Sequence, residues 1–153
     1  MDTNFVNNHR QKALYAFRET IQTIEKKLSS TQSSSSIETA KMLIELAELH
    51  MLSNETAKAE VEFTNALNIF NGCANEDVKE RIAYVIYILK TLGGMHECMG
   101  RKKEAKAEEK EAQIWEEKLN QLNKMNKIQA TYPRMVNNPV TVLDSDFVGI
   151  TFA

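Results

Sequence analysis

The chain has 153 residues, 42% hydrophobic and 26% charged, with a formal net charge of −2. That is length enough for one domain with its own core, and the near-neutral charge excludes the basic face that nucleic acid demands. Two cysteines outside any CxxC pattern exclude a disulfide framework and a zinc site, and the absence of a long apolar run or signal-like N-terminus excludes a membrane span, so the expected setting is reducing, cytoplasmic or nuclear.

Taken in order, residues 1–8 read as a frayed arm. The first helix is expected over 9–28, where Leu14, Phe17, Ile21, Ile24 and Leu28 recur at intervals of three and four opposite Arg18, Glu19, Gln22 and Lys26. The tract SSTQSSSS at 29–36 is low in complexity and reads as a linker. Ser35 followed by Glu38 is a capping-box signature, so the second helix is expected over 36–52. Ser53, Asn54 and Thr56 supply turn and cap chemistry, and a third helix over 55–71 carries Ala59, Phe63, Ala66, Leu67 and Phe70 on one face. Gly72 suits a left-handed position after that helix, and Asn75 can cap a fourth helix over 77–99.

The fourth helix is apolar over a wide arc through Ile82, Val85, Ile86, Ile88, Leu89 and Leu92, as expected of a helix packed on both sides. Gly93 and Gly94 each cost it roughly 1 kcal/mol relative to Ala. Gly100 and Arg101 mark the next turn, and the fifth helix is expected over 102–128. Between 101 and 118 it carries six basic and six acidic residues, which cancel as on a solvated face. After Ala130 the composition changes. Pro133 and Pro139 forbid a regular helix, and the segment 129–153 reads as an extended tail anchored by Val142, Leu143, Phe147, Ile150 and Phe152.

Two stretches repeat. Leu46, Ala47, His50, Ala59, Phe63 and Ala66 correspond to Leu92, Gly93, His96, Ala105, Glu109 and Ala112 at a constant offset of 46 residues. The same offset carries Ala59 and Phe63 back to Ala13 and Phe17, so the first helix matches the second half of a hairpin. These residues resemble the tetratricopeptide repeat (TPR), whose hairpins carry Leu-small, a large residue three on, then Ala, an aromatic and Ala. His50 stands where that family has Tyr, Glu109 stands at the aromatic position, and Asn71 replaces the closing Pro. The period exceeds the usual 34 or so and is similar to the long-helix, kinesin-light-chain-like variant. The resemblance implies an all-α, right-handed array of antiparallel hairpins, about two and a half repeats over residues 1–128. It also implies a peptide-binding or helix-binding groove on the first helix of each hairpin. That groove would carry Lys41, Ile44, Glu45, Glu48 and Leu52, then Tyr87, Lys90, Thr91 and Glu97. Ile44 and Glu48 replace two of the basic or amide residues by which chaperone-clamping TPR domains hold a carboxylate.

No catalytic or cofactor-binding motif is present: there is no GxxxxGK[ST], GxSxG or GxGxxG. His96 and Cys98 form an HxC pair, but His96 is repeat-equivalent to His50 and reads as a packing residue. The carboxylates of 104–117 have no nearby His in sequence, and the seven methionines read as core filler. The expectation is a non-enzymatic interaction module, an adaptor or scaffold subunit, without metal or cofactor. Its partner would be a protein segment with apolar anchors and some basic residues. The alternative is a self-associating structural protein, a homo-oligomer held by the long fifth helix and the tail.

Overall fold

With few helix breakers and repeated 3.6-residue stripes, this chain can bury apolar surface only by packing helix on helix. The computed structural model describes residues 3–30, 36–73 and 77–131. Five helices follow in order: α1 (Thr3–Ser30), α2 (Ile37–Leu52), α3 (Thr56–Gly72), α4 (Val78–Cys98) and α5 (Lys102–Thr131). The described residues contain no strand, as the all-α expectation requires. None of the described helices is long and apolar enough to cross a membrane. The predicted tail starts too early, since α5 runs to Thr131; the anchors Val142, Leu143, Phe147, Ile150 and Phe152, together with Ser35 and Asn75, lie outside the described residues.

Several local expectations are corrected. The predicted arm is helical from Thr3 onward. No Gly or Pro interrupts residues 3–30, and the Phe5 ring meets His9 edge-on at 4.3 Å one turn later. The α2 cap is Ser36, whose hydroxyl accepts from the Thr39 amide at 3.3 Å. Asp77 caps α4, accepting from the amides of Lys79 at 3.0 Å and Glu80 at 3.3 Å. Gly72 ends α3 from within the helix and does not take a left-handed conformation. Glu55, without a side-chain cap bond, stands at the N-cap of α3. α4 continues through both Gly93 and Gly94 to Cys98.

Close backbone approach follows the chain: α1 on α2, α2 on α3, α3 on α4 and α4 on α5. The α2–α3 and α4–α5 pairs are the most extensive, so these are two hairpins with α1 laid against the first. Their turns are built alike at the 46-residue offset. Asn54 (φ 63°) and Gly100 (φ 76°) take the left-handed conformation that lets the chain reverse. The Ser53 amide donates to the Leu49 carbonyl at 3.0 Å and the Glu55 amide to that of His50 at 2.8 Å. In the second turn Met99 donates to Met95 at 3.0 Å and Arg101 to His96 at 2.8 Å.

One apolar cluster joins the helices: Ile37, Ala40, Ile44 and Ala47 of α2, the whole inner face of α3, Val85 to Met95 of α4, and Ala112 of α5. Phe63 and Phe70 are fully enclosed, each worth roughly 1.5–3 kcal/mol of apolar burial. Ala59 and Ala66, equally buried, are the small residues that let α3 lie close to α2. Gly93 has the matching role between α4 and α5. A Cβ built there would lie 3.6 Å from the Ala105 carbonyl oxygen and 3.7 Å from Glu108 Cβ, whereas one on Gly94 would meet nothing within 4 Å.

Candidate functional site

Each hairpin contains a buried histidine on its first helix and a glutamate twelve residues on. His50 Nδ1 lies 2.7 Å from Glu62 Oε2, and His96 Nδ1 lies 2.8 Å from Glu108 Oε2. The two rings are only 1% and 4% exposed, so each needs its partner to avoid an orphaned nitrogen. Burial raises the pKa of the Glu62 carboxyl against the pull of His50. His96 has a second carboxylate, because its Nε2 lies 2.9 Å from Glu60 Oε1 on α3. Glu60 Oε1 also accepts from Arg101 at 2.6 Å, and Arg101 donates through Nε to Glu104 at 2.9 Å. Hydrogen bonds from His96 and then Arg101 hold Glu60 below the usual carboxylate range. Burial works against a charged His96, but the bonds to Glu60 and Glu108 outweigh it and raise its pKa.

Ligand atoms of Glu60, His96 and Glu104 lie within 4.8 Å of one another, the spacing of a metal site. Arg101 already binds both carboxylates, however, and Glu108 takes the other ring nitrogen. The group therefore fits an ion-pair knot that ties α3, α4 and α5 together, and Cys98 stands exposed with no part in it. His96 thus packs as expected, while the carboxylates of α5 are not isolated, since Glu108 meets His96. The recurrence of His and Glu twelve apart, at the 46-residue offset, is the sequence signal for these contacts; Glu60 has none, as its repeat equivalent is Lys106.

The expected groove residues divide between four places. Lys41, Glu48 and Tyr87 meet on the seam between α2 and α4. Lys41 Nζ pairs with Glu80 at 2.8 Å and sits 5.6 Å from the Tyr84 ring, and the Tyr87 hydroxyl donates to Glu48 at 2.5 Å. Burial, then the Glu48 bond, raises the Tyr87 pKa. Thr91 donates to the Tyr87 carbonyl at 2.8 Å, beside that seam. Glu45 and Leu52 are exposed on α2, Leu52 at 67%. Ile44 is buried in the shared core cluster and is not on an open groove, as an apolar side chain on the inner α2 stripe is drawn into the core. Lys90 and Glu97 line a separate cleft between α4 and α5, where Lys90 pairs with Glu116.

That cleft, about 610 Å³, is lined by the apolar or small Leu89, Gly93, Gly94, Ala105 and Ala112 and by the charged Lys90, Glu97, Lys106, Glu109 and Glu116. On the first hairpin the corresponding surface is occupied by α4: Tyr87 meets Phe63 edge-on at 6.4 Å, Tyr84 stacks on Phe70 at 5.1 Å, and His96 reaches Glu60. Forty-six residues on from Phe63, Phe70, Glu60 and Ala47 stand Glu109, Glu116, Lys106 and Gly93, all of which line the cleft. The second hairpin thus presents the seat that α4 fills on the first, with charge in place of its aromatic residues. Searches against protein-family models, curated proteins and solved structures found no match to this chain.

Proposed function

We propose that the chain is a non-enzymatic protein-interaction module, an adaptor or scaffold subunit working in the cytoplasm or nucleus, built as a TPR-like right-handed array. Its partner segment docks in the α4–α5 cleft as α4 docks on the first hairpin. One observation carries this reading: the same surface appears twice at the 46-residue offset, covered once by α4 and, among the described residues, open once. The chemistry of the open copy defines the partner. A lining with two glycines admits a close-lying segment with apolar anchors, and three lining glutamates against two lysines favour basic residues beside them.

Gly94→Trp tests this, since a Cβ there meets nothing within 4 Å and position 94 lines the cleft, so the indole occupies space the partner needs. Proteins recovered with the parent chain should be lost with Gly94→Trp and kept with Asn65→Trp, an exposed position on α3. Equal recovery by both variants contradicts the cleft as the docking site. Self-association is the second reading, supported by the exposed Ile114, Met125 and Ile128 of α5 at 63%, 57% and 57%. Concentration-dependent light scattering that reports a dimer, lost on Met125→Lys with Ile128→Lys, favours it over the adaptor.

A further inference from the structure

The geometry points to a second docking surface on α1, for an acidic amphipathic helix supplied by another protein. In both hairpins the second helix carries small residues where its partner helix lies close: Ala59 and Ala66 on α3, Ala105 and Ala112 on α5. The repeat offset places α1 in the same role, with Ala13 and Phe17 at the positions of Ala59 and Phe63, and Ile24, itself 7% exposed, at that of Phe70. Yet among the described residues α1 approaches only α2, in the way that α3 approaches α4, without the larger contact that a hairpin would give it.

The uncovered face follows from helical spacing. Leu14, Arg18, Ile21 and Glu25 line the crevice toward α2 and its turn. Val6, His9, Ala13, Ala16 and Thr20, spaced three and four apart, form a neighbouring stripe, and all five are exposed. Val6 is 55% exposed, and Phe5, 66% exposed, leans on His9 at its edge. Small residues at 13, 16 and 20 let a second helix lie close.

Charge selects the occupant. Arg10 and Lys12 flank the stripe, Lys27 continues it, and no acidic residue occurs from Phe5 to Arg18. A second copy of α1 would bring like charges together, whereas an acidic helix is attracted. The chain contains a helix of that kind. The segment 36–54 has Glu38, Glu45 and Glu48 against Lys41, a charge of −2, and its Ala47 and His50 face meets α3.

A fluorescein-labelled 36–54 peptide, titrated into the full chain and followed by anisotropy, is the test. Binding should saturate, weaken with salt, and fall at least about tenfold for Ala13→Glu with Ala16→Glu and for Arg10→Glu with Lys12→Glu. These positions are exposed and Glu favours helix, so circular dichroism should show the parent fold. Absence of binding, or binding equal in parent and variants, overturns the proposal. So does capture of anionic phosphatidylserine vesicles with no peptide binding, which would make α1 a membrane-surface helix. A dimer abolished by the same substitutions overturns it too, by showing that a second copy covers the stripe.

Discussion

Adjacent glycines in α4 offer a sharp test of the packing, because they share chemistry and differ only in what lies opposite. Replacing Gly94 by Leu gains helix propensity of roughly 1 kcal/mol, and its side chain enters open space. Replacing Gly93 by Leu gains the same propensity, but atoms beyond Cβ must enter a gap closed by the Ala105 carbonyl at 3.6 Å and Glu108 Cβ at 3.7 Å. Backbone does not yield as a flexible side chain would, so α5 has to move, at about 1–3 kcal/mol of overpacking. Gly93→Leu is then neutral to about 2 kcal/mol destabilised, Gly94→Leu about 1 kcal/mol stabilised, and their melting temperatures separate by roughly 3–10 °C. Urea unfolding followed by circular dichroism should show the gap at the midpoint with unchanged slope. Gly93→Ala, whose Cβ makes only ordinary contact, should be stabilising. If Gly93→Leu and Gly94→Leu unfold together, α5 does not lie against Gly93.

Other outcomes follow from the same contacts. Phe63→Ala, at a fully buried position joining α2, α3 and α4, should cost about 3–5 kcal/mol by chemical denaturation. Because His96 has a raised pKa, its stabilisation is fully present below its unfolded pKa near 6.5 and is lost as pH rises through the folded value. The melting temperature of the parent should therefore fall with pH more steeply than that of His96→Leu over that window. Glu60→Ala leaves His96 Nε2 without its partner and loosens Arg101, at about 1–3 kcal/mol in urea unfolding. Gly100→Ala, strained at φ 76°, should cost about 1–2 kcal/mol, while Asn54→Gly at φ 63° should be close to neutral.

The five helices were legible because their signal is local: apolar residues at three-residue and four-residue spacing, and few breakers between them. The hairpins were legible as well, through one offset that turned out to match even the turn hydrogen bonds. What failed was the choice among neighbouring residues with overlapping chemistry. Ser35 and Ser36, or Asn75 and Asp77, are equally able to cap, and the helix register decides which does. Gly72 resembled a left-handed terminator, but its conformation depends on how the chain leaves α3 toward α4. Ile44, which the family resemblance places in a groove, belongs to the buried core cluster, because an apolar side chain gains more from the core than from an open surface. The pairing of Glu108 with His96 lies between helices and depends on their relative height, which no single stripe encodes. Glu109 was visible as a poor fit to an aromatic position; that it rims a vacant seat required knowing that nothing among the described residues covers the α4–α5 cleft.

Docking in that cleft is tested most directly by photo-cross-linking in intact cells, with a benzophenone amino acid at position 94, which lines the cleft, and, as reference, at Asn65 on α3. A discrete adduct should form from position 94 alone, through a partner segment carrying apolar and basic residues. Identical adduct patterns from positions 94 and 65, or none from 94, would contradict a partner in the cleft.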